Sequence, residues 1–408
     1  MRASTHRHAA LGDPASLLAP LASPRSAVRL LFITHSFPPR DRPLSNVGGM
    51  QRVAVDLHHA MSEHPRVILA TKAIYTSWRW TGLRTALFLP KLLLTLPRRV
   101  RKEQIDVVLF SSMVTASLAP LLRPRLPETR LVAIAHGQDV TLSLPPYQRW
   151  LRRVFGALDA VLPVSRATAE ACEARGARPA DVHVCPNGIR LDRFGTLPAR
   201  DAARGTLLAA HGLPDDAFLL ASVGRQVKRK GTAWFVRHVL PRLDPSAYLL
   251  VAGSGPQEEA ILQAAAAAGV ADRLRLLGRV PEADLATLLR GADVFVMPNV
   301  EVEGDMEGFG VVMLEAGLCE LPVVAAALEG IQDVVTDGAN GFLVPPEDPE
   351  AFADQIDVLF RDRELRDLLG ERSREYVTAT FSWPAVARRT IDSIQRVLKT
   401  SRSASAAR

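Results

Sequence analysis

Apolar runs alternate with stretches of helical composition along most of this chain. In the first half the runs are VRLLFITHS at residues 28–36, VILAT, DVVLFSS, RLVAIAHG and DAVLPVS. Such runs are typical of parallel strands that are buried on both faces, and parallel strands need crossover helices between them. The alternation resumes with FLLASVG at 218–224 and continues through YLLVAG, ADVFVMP and LPVVAA. The pattern predicts an α/β protein.

The chain length and a change of composition predict two domains. A chain of 408 residues with 48% hydrophobic content can bury two cores of ordinary size. The segment CPNGIRLDRF at 185–194 is followed by a polar, alanine-rich stretch, so the boundary is expected near 195–205. The predicted divisions are a first domain at 28–198, a second at 199–383, and tails at 1–27 and 401–408 that are expected to be disordered.

Cysteine usage and hydropathy favour a cytoplasmic protein. Cys172, Cys185 and Cys319 lack metal-ligand spacing and cannot all pair, which favours a reducing compartment. Residues 1–27 lack the continuous apolar segment of a signal peptide. No window reaches the roughly 20 apolar residues that cross a bilayer.

The excess of basic residues is concentrated in one leucine-rich segment. The net charge of +7 suits either nucleic acid or an anionic membrane as partner. At 78–102, WRWTGLRTALFLPKLLLTLPRRVRK, seven cations surround leucines: Arg79, Arg84, Lys91, Arg98, Arg99, Arg101 and Lys102. This mixture favours an interfacial element over a surface that reads bases, so no nucleic-acid partner is expected. An ordinary helix packed on the first sheet, with solvated basic ends, is an equally good interpretation.

Residues 305–330, DMEGFGVVMLEAGLCELPVVAAALEG, contain two glutamates that bracket a glycine-rich turn. Glu307 and Glu315 flank GFGVVML, between the strand ADVFVMPN and the helical VVMLEAGL. A strand, a glycine turn and a helix N-terminus form a site for phosphate. Carboxylates would repel phosphate, but they accept hydrogen bonds from sugar hydroxyls beside it. The segment therefore predicts a sugar-nucleotide site; the alternative is a helix cap at Glu307 and a solvated Glu315.

A second group of charged residues follows the strand LLASVG. Arg225 stands at the end of this strand, and Lys228, Arg229 and Lys230 precede Gly231. Arginine binds phosphate oxygens through two nitrogens and lysine supplies a compact charge, so the group suits a diphosphate. The alternative is a solvated basic loop.

The glutamate segment resembles the signature of the family 4 glycosyltransferases, and the resemblance extends over residues 28–385. These are retaining enzymes with the GT-B fold, in which two Rossmann-like β/α/β domains face each other across a cleft. The resemblance implies that Glu315 binds the ribose of the donor and that Glu307 lies against the donor sugar. It also places Gly308 and the amides of Phe309 and Gly310 at the sugar and diphosphate.

The resemblance assigns further residues to the donor site. Arg225 and Lys230 match the family spacing for diphosphate binding, whereas Lys228 and Arg229 receive no role. His136, in HGQDV at the end of a strand, matches a histidine that contacts the donor sugar, and Asp139 is a weaker candidate there. The remaining assignments are Gly49 at the diphosphate and the backbone of Arg279 and Val280 at the nucleobase. Glu307, His136, Arg225 and Lys230 are the predicted catalytic residues.

The expected activity is the transfer of a sugar from a nucleotide-sugar to a hydroxyl of a glycan or lipid-linked acceptor, in cell-surface polysaccharide or glycolipid synthesis. The enzyme would lie in the cytoplasm, peripheral on the inner face of the membrane if 78–102 docks there. No cofactor or metal is expected. The chain has no two aspartates separated by one residue, the Asp-x-Asp pair that binds the metal in the other large glycosyltransferase fold. A C-terminal helix at 384–400 would cross back to the first domain.

Two segments depart from the family pattern. ALEGIQD, with Leu328 and Glu329 before Gly330, replaces a small glycine-rich turn, and residues 40–47 carry no recognisable acceptor signature. The alternatives to a transferase are a sugar-nucleotide epimerase on the same fold and a non-catalytic binding protein. No side-chain pattern identifies the base, the sugar or the acceptor.

Overall fold

The structure, a computed structural model, describes residues 27–39, 49–75 and 80–406. The predictions for residues 1–26, for the loop 40–48 and for Trp78 and Arg79 fall outside this range. Two parallel sheets organise the described residues, as the alternation of apolar runs predicts.

The first sheet has five strands, and every neighbouring pair is parallel. They are β1 (Val28–Phe37), β2 (Val67–Tyr75), β3 (Val107–Phe110), β4 (Arg130–Ala135) and β5 (Ala160–Pro163), in the order β2-β1-β3-β4-β5. Along β1, Leu30 and Phe32 belong to one apolar core, and Leu31 and Ile33 belong to another. The strand is therefore buried on both faces, which explains its continuous apolar sequence.

The second sheet has six parallel strands. They are β6 (Phe218–Val223), β7 (Ala247–Ala252), β8 (Leu274–Gly278), β9 (Val294–Met297), β10 (Val323–Ala326) and β11 (Gly341–Val344), in the order β11-β10-β9-β6-β7-β8. The chain order reverses between β6 and β9 here, and between β1 and β3 in the first sheet. Open α/β sheets bind ligands beyond the carboxyl ends of the strands at such switch points.

Helices connect the strands and cover the sheets. In the first domain they are α1 (Gly49–Ser62), α2 (Thr81–Glu103), α3 (Met113–Ala116), α4 (Ala119–Leu122), α5 (Gln138–Thr141), α6 (Pro145–Ala157) and α7 (Arg166–Glu173). The rest are α8 (Arg200–His211), α9 (Thr232–His238), α10 (Glu258–Ala267), α11 (Glu282–Gly291), α12 (Val311–Leu318), α13 (Pro349–Arg361), α14 (Arg363–Phe381) and α15 (Trp383–Ala406). No helix of the described chain has the length and apolar character required to cross a membrane.

Helix α15 joins the end of the chain to the first domain. Arg66, just before β2, binds Asp392 at 2.7 Å and Gln395 at 2.9 Å. The helix runs to Ala406, beyond the expected end at residue 400, so that residues 401–406 are helical rather than part of a disordered tail. The serines and alanines there include no glycine or proline to stop a helix.

Candidate active site

Two loops meet at the switch point of the second sheet. One is the basic loop, residues 224–231 after β6, and the other is the signature loop, residues 305–310 after β9. Strands β6 and β9 are paired neighbours, with Leu220 opposite Val294, so their carboxyl ends lie at one edge of the sheet. A Cβ added to Gly231 (φ +66°) would lie 1.8 Å from the carbonyl oxygen of Pro298, so only glycine allows this approach.

The side chain of Glu307 lies at the centre of a partly buried group of charges. Lys230 Nζ is 2.5 Å from Glu307 Oε2, and the Arg229 guanidinium donates to the same oxygen. The Asn299 amide adds a hydrogen bond of 3.3 Å, while Arg229 Nε donates to Asp305 at 3.1 Å. These five residues, Arg229, Lys230, Asn299, Asp305 and Glu307, are called the Glu307 cluster below.

The cluster keeps Glu307 ionised. Burial by itself raises the pKa of Glu307, but the charges of Lys230 and Arg229 outweigh it and lower the pKa to about 2. At neutral pH this carboxylate can accept hydrogen bonds but has no proton to donate. Such a group suits sugar hydroxyls as partners and does not suit general acid catalysis.

The structure divides the four cations of the basic loop differently from the sequence prediction. Lys230 enters the Glu307 cluster with Arg229, which the sequence left without a role. Arg225 is exposed, and its guanidinium makes no hydrogen bond to the described residues. Residues 228–230 form a single 3-10 turn, and the last two cations of this turn contact the signature loop. The only sign of this role in the sequence was that Arg229 directly precedes Lys230, the lysine that fits the family spacing.

The signature loop leads into α12. Gly310 adopts φ +81° at the N-terminus of this helix, a conformation that favours glycine. Phe309 is buried with its ring edge-on to Phe381, at 5.6 Å between centroids. A ligand at this loop would therefore meet the main chain of Phe309 and not its ring.

Glu315, in α12, is also paired. Arg193 Nε donates to Glu315 Oε1 at 3.1 Å, and Arg52 Nη1 lies 3.6 Å from the same oxygen. Arg193 follows the PNG segment and also pairs with Glu282, whereas Arg52 belongs to α1 of the first domain. Glu315 therefore lies where the two domains meet. The sequence assigned neither arginine to the site, since Arg193 was seen only as part of a linking segment.

The His136 loop of the first domain is in contact with the signature loop of the second. Its ring Nε2 donates to the carbonyl oxygen of Ser111 at 2.8 Å. A Cβ added to Gly308 would lie 2.1 Å from the carbonyl oxygen of His136, so the two loops touch through their backbones. Asp139 accepts from the amides of His136 and Met113, at 2.8 and 2.9 Å. The carboxylate of Asp139 thus holds the His136 loop in place.

The other predicted donor residues lie further apart. Gly49 is the first residue of α1. Arg279 follows the edge strand β8, and its Nε donates to Ser254 Oγ at 3.2 Å, while Val280 is partly buried beside it. Within the described ranges, no three His, Cys, Asp or Glu side chains are grouped so that they could hold a metal ion.

A contact at the cleft edge also joins the two domains. The Arg166 guanidinium, at the start of α7, pairs with Asp333 at 2.5 Å and its amide donates to the same carboxylate at 2.6 Å. Asp333 ends the 3-10 turn at 329–333 that follows β10. This turn therefore contacts the first domain and, as described below, the signature loop.

Comparisons with known proteins agree with this architecture. The family model "Glycosyltransferase Family 4" matches residues 47–193, and "Glycosyl transferases group 1" matches residues 204–376. A GDP-mannose-dependent alpha-(1-6)-phosphatidylinositol monomannoside mannosyltransferase of Mycobacterium tuberculosis is 31% identical over 382 residues, covering 89% of this chain and 97% of the relative. A GDP-mannose-dependent monoacylated alpha-(1-6)-phosphatidylinositol monomannoside mannosyltransferase of Corynebacterium glutamicum is 28% identical, covering 90% and 98%.

The fold is also found among solved structures. The crystal structure of Anabaena HepE in complex with UDP and glucose matches with a TM-score of 0.69 at 18% identity, covering 90% of this chain and 100% of that one. This likeness confirms the predicted fold class, with two parallel-sheet domains facing a cleft. The chain belongs to family 4 of the glycosyltransferases and has the GT-B fold.

Proposed function

We propose that this glycosyltransferase moves a sugar from a nucleotide-sugar to a hydroxyl of a lipid-linked acceptor, with retention of anomeric configuration. The observation that carries the proposal is the Glu307 cluster, which places two cations and an ionised carboxylate at a switch point, beside the loop contact between Gly308 and the backbone of His136. The cations suit a diphosphate, and the carboxylate suits the hydroxyls of the sugar beside it.

GDP-mannose is the first donor to test. The Mycobacterium and Corynebacterium relatives are named as GDP-mannose-dependent enzymes, and each aligns over nearly its whole length with this chain. The Anabaena structure contains UDP, so a uridine donor is the comparison.

In the proposed mechanism, the enzyme lowers the activation barrier by stabilising the leaving group. The bond between the anomeric carbon and the phosphate oxygen breaks, and the acceptor oxygen bonds to that carbon from the same face. The acceptor proton passes to the departing phosphate oxygen. Lys230 and Arg225 would stabilise the growing charge of the diphosphate, together with Arg229 and the N-terminus of α12. Glu307 would accept hydrogen bonds from sugar hydroxyls, and no covalent intermediate on it is required.

A lipid-linked acceptor is supported by the outer face of α2. Phe88, Leu92 and Leu96 of this helix are buried in the first domain. On other sides Leu83, Leu87 and Leu94 are 59%, 69% and 75% exposed. Arg84, Lys91, Arg98, Arg101 and Lys102 are exposed on the same helix. Exposed leucines beside cations match the acyl chains and head groups of an anionic bilayer.

The packed-helix interpretation of this segment describes the buried face of α2, and the exposed face is the part available for the interfacial interpretation. Arg99 differs from the other cations in being partly buried, and it is bound to Glu103 at 2.8 Å and to the carbonyl oxygen of Thr71 at 3.0 Å. Arg84 and Arg101 are exposed but also donate to carbonyl oxygens, of Tyr75 at 2.7 Å and of Arg125 at 3.3 Å. We propose that the exposed face of α2 holds the enzyme on the cytoplasmic surface of the membrane, within reach of the acceptor.

The direct test is a transfer assay with phosphatidylinositol mannoside in anionic vesicles. GDP-mannose, UDP-glucose and ADP-glucose are supplied separately, and products are identified by mass spectrometry. Transfer of a hexose from one of them, with GDP-mannose best, is the expected result. Release of the free nucleotide without a glycosylated lipid would contradict the proposed acceptor, and inertness of all three donors would contradict the proposed activity.

A further inference from the structure

Glu329 adopts a backbone conformation that is rare for residues other than glycine. Its φ is +49°, in the left-handed region where glycine is favoured. The residue begins the 3-10 turn after β10 and stands in ALEGIQD, the segment that departs from the glycine-rich pattern of the family. A residue with a Cβ is held there only when its surroundings impose the conformation.

The contacts of Glu329 explain what holds it. Glu329 Oε2 accepts a hydrogen bond from the amide of Glu307 at 2.5 Å. The next residue, Gly330, donates its amide to the carbonyl oxygen of Glu307 at 3.2 Å. A Cβ added to Gly330 would lie 2.2 Å from the carbonyl oxygen of Gly308, so the turn packs directly on the signature loop. Both peptide groups of Glu307 are therefore bound by residues 329–330.

The position is electrostatically unfavourable as well as strained. Glu329 faces the like charges of Glu307 and Asp305, opposed by Arg229. Burial raises the pKa of Glu329 above its ordinary value, although the Glu307 amide opposes this shift. A glycine would avoid both costs. Retained strain of this kind beside a site is typical of a residue with a functional task.

We propose that Glu329 is a positioning residue, whose carboxylate fixes the main chain of the signature loop and so the placement of the Glu307 carboxylate against the donor sugar. The contact of Glu307 with the sugar rests on the function proposed above. Lys230 and Arg229 hold the side chain of Glu307 but not its backbone, and Glu329 supplies the second constraint. Catalytic groups need placement to within about 0.5 Å, which one flexible side-chain contact does not provide.

Three substitutions of Glu329 distinguish the effect of its side-chain length from the effect of its charge. Glu329→Gln keeps an acceptor oxygen at the same reach but removes the charge. Glu329→Asp keeps the charge but shortens the side chain, and Glu329→Gly removes the contact while relieving the backbone. Glu347→Gly is the matched control, because Glu347 also has a positive φ, of +55°, but is exposed and has no side-chain hydrogen bond to the described residues.

The first measurement is hydrogen–deuterium exchange of the peptide containing the Glu307 amide, which requires no substrate. Exchange should be faster in the Asp and Gly variants at position 329 and close to wild type in Glu329→Gln and Glu347→Gly. Unchanged exchange in Glu329→Gly would overturn the contact itself. This outcome is independent of whether the protein transfers any sugar.

The second measurement is steady-state kinetics with the donor that the wild type uses. The Asp and Gly variants should lose at least tenfold in kcat, or about 1.4 kcal/mol, with little change in donor KM. The melting temperature of Glu329→Gly should match that of Glu347→Gly, and Glu329→Gln should retain most of the turnover. Wild-type kcat in Glu329→Gly would overturn the positioning role. A loss of kcat that merely followed a loss of folding would do the same.

Discussion

Replacing Lys230 with alanine tests the charge arrangement of the candidate active site. Lys230 contacts Glu307 at 2.5 Å, and the two side chains are only 13% and 12% exposed. Water therefore screens this pair weakly. If Lys230 turns from Glu307 towards the diphosphate as charge develops there, its removal costs about 3 kcal/mol in the transition state, or roughly a hundredfold in kcat.

The cost to folding should be smaller than the cost to catalysis. Leaving a buried charge without a partner costs about 3–5 kcal/mol. In Lys230→Ala, however, Glu307 keeps Arg229 and Asn299 as partners, so we expect a loss of about 1–2 kcal/mol in the free energy of unfolding. Chemical denaturation and steady-state kinetics on the same preparation measure the two effects separately.

Lys228 provides the control. It belongs to the same 3-10 turn but is exposed, and its alanine variant should keep wild-type turnover. The reasoning is refuted if Lys230→Ala folds and retains full turnover. Equal losses in the two variants would also refute it, because they would indicate a general effect of loop charge.

Three further predictions concern pH, metal and membrane. The pKa of Glu307 is about 2 in the folded protein, below its ordinary value of about 4.3, so the ionised carboxylate stabilises the fold at pH values above about 4.3 and this contribution is lost as the pH falls towards 2. The melting temperature of Glu307→Gln should therefore fall less on acidification than that of the wild type, and equal falls would contradict this. Transfer should continue in EDTA, since cations of the basic loop are proposed to take the place of a metal; abolished activity that manganese restores would refute this. Replacing Arg98, Arg101 and Lys102 with Ser should weaken co-sedimentation with phosphatidylglycerol vesicles about a hundredfold at low salt, at about 1 kcal/mol per cation, whereas replacing the exposed Arg361 and Arg363 of the second domain should not; a wild type that does not sediment would rule out docking through α2.

The strands and the adjacency of the main site loops could be predicted from the sequence. Continuous apolar runs identify buried parallel strands, and the carboxyl ends of such strands lie at one edge of a sheet. For that reason Lys230 and Glu307, which are far apart along the chain, could be assigned to one site. In the structure the two side chains are in direct contact, whereas their roles towards a donor stay a prediction.

Other features depend on details that residue spacing does not encode. A 3-10 turn decides that Arg229, rather than Arg225, reaches Glu307. The pairing of Arg52 with Glu315 depends on how the two domains meet. The role of Glu329 arises from a hydrogen bond to a main-chain amide, and such an acceptor leaves no pattern of paired side chains in the sequence.

The central claim is tested most directly by the configuration of the product. Proton NMR of the new glycosidic linkage, formed from a donor whose sugar is α-linked to the nucleotide, reports whether the configuration has been kept. Our account predicts an α-linked sugar on the acceptor. A β-linked product would contradict same-face transfer with the diphosphate leaving from the Glu307 cluster.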